Sequence, residues 1–160
     1  MAGNADNIIV GAAVVTLDST DMGYTTGGTV VAYEPVWIEV EADQANGVVA
    51  RKRSSERMYV RTTLLEATLQ NILDAFNYPD ALLVGSTLTL GYNSSCVVQE
   101  HSLTLTGVGP SCGARTFTFP TVVAIGDKEY QMTSEEAVQF EVEFEVLKAA
   151  DGTFGTIVDA

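Results

Sequence analysis

The chain has 160 residues with 21 acidic and 8 basic side chains, giving a formal charge of −13 and an isoelectric point near 4.2. Only 18% of the residues are charged and the mean hydropathy is +0.17, which excludes a disordered acidic tail because such tails combine charge with low hydrophobicity. The acidic balance argues against a general nucleic-acid-binding protein, which presents basic surfaces to phosphate. The length predicts one domain spanning residues 1–160.

Neither a membrane span nor a secretion signal is expected. No stretch approaches the roughly 20 apolar residues of a membrane helix, and Met1–Asp6 lacks the basic and apolar regions of a signal peptide. Cys96 and Cys112 lie 16 positions apart without metal-binding spacing. Free thiols are expected in a reducing cytosol, with a disulfide as the alternative.

The residue types and their spacing predict a mainly β fold. Twenty valines and eighteen threonines favour a pleated surface, and glycine-containing clusters divide the chain into short segments. Many short strands separated by turns predict a β-sandwich or barrel of about eight strands. The strands are expected at residues 8–17, 29–41, 57–64, 86–92, 96–107, 115–125, 137–148 and 153–158.

One segment has helical periodicity instead. Thr63 and Glu66 fit a capping box at its start, and Tyr78-Pro79 ends it. Its apolar residues recur at the spacing of one helix face, which predicts a single α-helix packed against the sheet. The residues of this stripe are Leu65, Leu69, Ile72, Leu73 and Phe76.

Two strands alternate apolar and acidic residues. From Val138 to Val146 the apolar residues are expected on the core, with Glu141, Glu143 and Glu145 on the opposite face. A shorter alternation places Val36, Ile38 and Val40 opposite Trp37, Glu39 and Glu41. The three glutamates also suggest a glycosidase or a hard-cation site, but glycosidases need two carboxyl groups across a cleft.

The basic residues are concentrated in one window. Five of the eight lie between Arg51 and Arg61, a window whose only acid is Glu56. The sequence predicts a protruding basic loop at about 44–57, or a hairpin tip, on an acidic body. Such a projection favours head-to-tail contact between copies, which produces rings or filaments. A nucleic-acid patch or targeting signal is the alternative. The residues expected to contact a neighbouring subunit or ring are Arg51, Lys52, Arg53 and Arg57.

Catalytic signatures are missing from the sequence. The single histidine, His101, has no nucleophile motif around it and no companion metal ligand, so a structural or surface role is expected. Ser111-Cys112-Gly113 superficially resembles a cysteine nucleophile but lacks a recognisable oriented base. We therefore predict no enzymatic activity, no cofactor and no metal site.

Two motifs resemble a known family. The first joins Ile8-Ile9-Val10-Gly11-Ala12-Ala13 with Asp21-Met22-Gly23-Tyr24-Thr25-Thr26-Gly27-Gly28-Thr29-Val30. The second runs from Glu39-Val40-Glu41-Ala42-Asp43-Gln44, through a long loop, to Val60-Arg61-Thr62-Thr63-Leu64-Leu65-Glu66-Ala67-Thr68-Leu69-Gln70-Asn71. Over residues 7–78 the chain thus resembles the tail tube proteins, or major tail proteins, of tailed bacteriophages.

The resemblance implies a β-barrel or sandwich flanked by one helix, as in the tubes of type VI secretion systems. It implies hexameric rings that stack into a hollow virion tail tube around a tape measure protein, assembled in the host bacterial cytoplasm. Tail terminator and baseplate or tail-tip proteins, and in some tails a sheath, would be further partners. DNA would pass through the lumen without specific binding.

The acidic residues suggest how such a tube would conduct DNA. A lumen lined by Glu141, Glu143 and Glu145, or alternatively by Glu39 and Glu41, would repel phosphate and keep the duplex from adhering. The segments 1–7 and 151–160 are either arms that reach neighbouring subunits or ordinary edge strands. The competing interpretation is a non-polymerising β-sandwich that binds carbohydrate or decorates a capsid, using exposed aromatics among Tyr24, Tyr33, Trp37 and Tyr92.

Overall fold

A computed structural model describes residues 4–7, 9–94 and 96–160. The described chain is mainly β, with one α-helix, α1 (Leu69–Ala75), and short 3-10 turns. The strands are β1 (Val14–Leu17), β2 (Thr20–Asp21), β3 (Thr25–Ala42), β4 (Gly47–Leu64), β5 (Leu83–Val84), β6 (Thr87–Leu88), β7 (His101–Val108), β8 (Ala114–Ile125), β9 (Phe140–Val146) and β10 (Thr156–Asp159). The predicted fold class, a mainly β domain with one helix, is confirmed.

Eight of the strands form a single antiparallel sheet. Its order is β2-β1-β7-β8-β9-β4-β3, and β10 pairs with β8 beside the end of β9. β9 pairs with Val122–Ile125 of β8, whereas β10 pairs with Arg115–Thr118 of the same strand. The C-terminal segment is thus an edge strand of its own subunit, held by two hydrogen bonds from Arg115 to Asp159 of 2.6 and 2.7 Å.

The sheet curves around one core. Val15 of β1, near one end of the strand order, and Val31 of β3, at the other end, both pack into the same apolar cluster. β9 supplies Val142, Phe144 and Val146, whose side chains are buried while the glutamates between them are not. The predicted alternation of this strand is confirmed, although its length is 140–146 and not 137–148.

The helix begins later than the sequence predicts, and the proposed capping box is wrong. Thr63 lies in β4, and the Glu66 carboxylate accepts a hydrogen bond from the Tyr24 N–H at 3.0 Å. Thr68 is the N-cap, because its hydroxyl accepts from the Asn71 N–H at 3.1 Å. The Asn71 side chain also donates to the carbonyls of Met22 and Glu66, so the segment before Thr68 is tied to the start of β3 and does not join the helix.

The predicted core-facing residues of the helix are accordingly only partly correct. Leu65 precedes the helix and Leu69 is 37% exposed, whereas Leu73 is fully buried. Ile72 and Phe76 are half-buried. The shorter helix turns a different set of residues inward, and it contacts β8 and the β5–β6 hairpin.

The helix ends in a Schellman motif that also holds a loop. Asn77 lies at φ +56°, its N–H donates to Asp74, and the Tyr78 N–H donates to Leu73. The Asn77 side chain makes two hydrogen bonds to the backbone of Gln99, at 2.7 and 2.9 Å. Gln99 therefore binds the helix terminus, and β7 begins at His101 and not at residue 96.

The remaining predicted boundaries differ more modestly. β1 begins at Val14 and not at residue 8, which lies outside the described residues, and β6 covers only Thr87–Leu88 of the predicted 86–92. β2 and β5 are short strands that the sequence did not indicate. The largest difference is in β4, which starts at Gly47 and contains the segment predicted as a basic loop.

Candidate functional site

The β3–β4 hairpin extends beyond the rest of the sheet. β9 pairs with β4 over Met58–Leu64, so among the residues that the structure describes, 34–57 have strand partners only within the hairpin. We call residues 34–57 the arm. Its two strands are joined by the turn at 43–46, where Asn46 has φ +50° in front of Gly47.

The structure corrects the position of the predicted basic residues. Arg51, Lys52, Arg53 and Arg57 lie in β4, so the predicted loop is wrong and the alternative, a hairpin, is what the structure shows. Because side chains alternate along a strand, Lys52 points to the face opposite Arg51 and Arg53. The basic residues therefore do not form one patch.

Antiparallel pairing also neutralises the arm. Glu39 lies directly opposite Arg51 and forms an ion pair with it. Arg53 contacts Glu56 at 3.1 Å. The arm has four basic residues but five acidic ones, since the β3 strand contributes Glu34, Glu39 and Glu41. The expectation of a cationic projection is wrong, because the folded arm has a net charge of −1.

One face of the arm is apolar and exposed. Val36, Ile38 and Val40 alternate along β3 and are 54%, 54% and 38% exposed. The sequence places this stripe toward a core, but Val31 pairs with the core residue Val60, which puts the even-numbered β3 side chains on the outer face. We call these three residues the apolar stripe.

The opposite face of the arm holds a polar network at its root. Glu56 accepts hydrogen bonds from Tyr33 Oη at 2.7 Å and from Lys148 Nζ at 2.6 Å. Arg53 Nη1 donates to the same tyrosine hydroxyl at 3.0 Å. The bonds from Lys148 and Tyr33 hold the pKa of Glu56 below its usual value. In the sequence, the one feature related to this network is the isolated acid Glu56 in a basic window.

The acidic row on β9 lies on the outer face of the sheet. Glu143 is paired with Arg61 of β4, which also lies 3.9 Å from Glu34. Glu141 and Glu145 form no ion pair within the described residues. Glu39 and Glu41 project from the other face of the hairpin, so the two acidic sets proposed for a lumen point in opposite directions.

His101 lies in a polar cluster that ties the β1–β2 turn to β7. Its Nδ1 is 2.6 Å from Asp18, and the Ser102 hydroxyl bonds the same carboxylate at 3.2 Å. Burial raises the pKa of Asp18, but hydrogen bonds from His101 and Ser102 outweigh it and the net pKa is lowered. His101 Nε2 is buried and has no hydrogen-bond partner among the described residues.

Further apolar surface is exposed on the body. An open groove of about 290 Å³ lies among Ile9, Ala13, Val31, Leu105 and Phe117. The exposed aromatics include Tyr24, Tyr33 and Tyr92 outside the arm, at 77%, 44% and 41%, and Trp37 on the arm, at 52%. Sequence periodicity did not predict this groove, because it is formed by strands far apart in the chain.

Cys96 and Cys112 are free and exposed. Within residues 4–7, 9–94 and 96–160, no three His, Cys, Asp or Glu side chains converge as metal ligands. The one described helix is too short to cross a bilayer. No protein-family model matches the chain, and no curated protein shows significant similarity to it.

Proposed function

We propose that this chain is a structural subunit that polymerises by heterologous contact, as its resemblance to phage tail tube proteins implies. Six copies would form a ring, and stacked rings would form the hollow tube of a virion tail through which DNA passes. A tape measure protein would occupy the tube before ejection. Terminator, baseplate or tail-tip proteins, and possible sheath subunits, would bind its ends and exterior.

The exposed apolar stripe on the arm carries this proposal. A two-stranded hairpin alone is marginally stable in water, so a long arm with one apolar face is typical of a segment that packs against a partner. Val36, Ile38 and Val40 lie on such a face. The body offers different apolar surfaces, including the groove beside Val31. Contact between an arm and an unlike surface on the next copy is heterologous and continues into a ring or filament.

The net charge is compatible with a conduit for DNA. Six copies would carry −78 formal charges. Repulsion of phosphate would act over about 8 Å at physiological salt, which is significant in a narrow channel. Our proposed lining is the acidic row on β9, where Glu141 and Glu145 lack ion pairs within the described residues.

Electron microscopy and sedimentation test the assembly. The purified chain is concentrated and imaged by negative-stain electron microscopy. Sedimentation of a dilute sample gives the size of the unassembled chain for comparison. Rings or hollow tubes of uniform diameter are expected. Persistent monomers at high concentration would overturn the proposal, and monomers that also bind a glycan array would support the carbohydrate-binding alternative.

The lumen assignment has a separate test with a matched control. In virions assembled from the variant chain, Glu141→Lys with Glu145→Lys is expected to slow DNA ejection, while Glu39→Lys with Glu41→Lys is not. Glu143 is left unchanged because it pairs with Arg61. The opposite result would assign the lumen to the Glu39 and Glu41 face.

A further inference from the structure

Glu56 joins the arm to the body through contacts from three parts of the chain. Tyr33 belongs to β3, Arg53 to β4, and Lys148 follows β9. The Glu56 side chain is only 13% exposed, although it lies where the hairpin leaves the sheet. Each carboxylate oxygen is engaged, Oε1 by Lys148 and Oε2 by Tyr33 and Arg53.

A β-bulge makes this arrangement possible. Val36 pairs with Ser55 and Trp37 pairs with Arg53, so Ser54 is an extra residue in β4. Residues three apart in a regular strand point to opposite faces, but the bulge places Arg53 and Glu56 on the same face. The Ser54 hydroxyl fixes the bulge by donating to the Val36 carbonyl at 3.1 Å.

Lys148 is the only one of these partners that lies outside the hairpin. Its amine is 5.3 Å from the ring centroid of Phe154, which packs against the core. The Lys148–Glu56 bond therefore connects a residue anchored on the body to the root of the arm. Tyr33 and Arg53 connect the same carboxylate to both strands of the arm.

We propose that Glu56 is an orienting lock, which fixes the angle at which the arm leaves the body. The backbone pairing of β3 with β4 keeps the arm folded, but in the described part of the chain no third strand pairs with the arm beyond Met58 and constrains its direction. A carboxylate bonded to both sides of the junction supplies that constraint. Opening the lock leaves the hairpin intact and lets it swing about its root.

The size of the movement makes the lock measurable. From Glu34 to Ala42 the arm spans nine residues, which at about 3.3 Å per residue is roughly 30 Å. A swing of about 15° at the root moves the tip of such an arm by about 8 Å. Pulsed electron–electron double resonance between two spin labels resolves a distance change of this size.

The experiment uses the full chain below its assembly concentration. Cys96 and Cys112 are replaced by serine, and labels are attached at Gln44→Cys in the turn and at Thr106→Cys, an exposed position in β7. Glu56→Gln and Lys148→Met are each expected to broaden the distance distribution. Glu39→Gln is the control, because it removes the ion pair with Arg51 in the middle of the arm and not at its root.

Each outcome decides the proposal. Broadening in both root variants with an unchanged control supports the lock. Distributions as narrow as wild type in Glu56→Gln and Lys148→Met would overturn it, as would equal broadening in Glu39→Gln. Circular dichroism of each variant confirms that the chain remains folded. Because the labelled chain is monomeric in this measurement, the result is independent of whether the proposed tube forms.

Discussion

Replacing the apolar stripe tests whether the arm holds copies together. The variant Val36→Thr, Ile38→Thr and Val40→Thr keeps β-branched side chains, and therefore strand propensity, while exchanging apolar groups for hydroxyls. The stripe is already exposed in the monomer. The free energy of unfolding is therefore expected to change by no more than about 0.5 kcal/mol per site.

The exposed fractions set the expected effect on assembly. Complete burial of a Val or Ile side chain contributes about 1.5–3 kcal/mol. The three residues retain 54%, 54% and 38% of their surface for a partner to cover. Docking then gains about 1 kcal/mol per side chain, or about 3 kcal/mol for the stripe. Loss of this contribution weakens each contact roughly 100-fold.

Sedimentation velocity over a concentration series measures the loss directly. The concentration needed for assembly is expected to rise by roughly two orders of magnitude. Val84→Thr, Val97→Thr and Val98→Thr form the control, because these residues are 72%, 47% and 55% exposed on the body. An unchanged threshold in a stably folded stripe variant would refute the role of the arm. An equal rise in the control would show that exposed apolar area in general, and not the arm, drives assembly.

Three further predictions concern the body. Burial raises the pKa of Asp74 above 3.8, so its charge destabilises the fold increasingly as the pH rises through that raised value; Asp74→Asn should raise the thermal midpoint at pH 7 but not at pH 3. Asn77 has φ +56°, so Asn77→Gly loses only the side-chain bonds to Gln99, whereas Asn77→Ala also adds left-handed strain of about 1–2 kcal/mol. The urea midpoint is expected to fall in both variants and to be lower in Asn77→Ala than in Asn77→Gly. Phe144 is fully buried, so Phe144→Ala should cost about 3–5 kcal/mol in urea unfolding.

Strands that pack directly on the core could be predicted from the sequence. Val142, Phe144 and Val146 alternate with exposed or half-buried glutamates, because one face of β9 is covered and the other is not. The helix was predicted less accurately, since its start depends on distant partners. Asn71 binds the carbonyl of Met22, 49 positions earlier in the chain, and no local pattern indicates that bond.

Charge along the chain was a poor guide to charge in space. The window from Arg51 to Arg61 is basic when read in sequence, but its folded neighbours belong to β3 and, from Met58 onward, also to β9. Opposite-charge pairs across antiparallel strands stabilise a sheet, so a basic strand is commonly matched by an acidic one. The acidic partner, Glu39, is visible in the sequence, but the strand pairing that places it opposite Arg51 is not.

The exposed stripe nevertheless had a sequence signature. Val31 and Tyr33 occupy odd positions of β3, whereas Val36, Ile38 and Val40 occupy even ones. A continuous strand with apolar residues at both odd and even positions turns apolar side chains to both of its faces. The stripe begins at Val36, where the hairpin leaves the sheet, and the bulge at that position lies in β4 and leaves the alternation of β3 intact. Val31 packs against the subunit's own core, whereas the second face is exposed and is the surface on which the proposed contact with another copy depends.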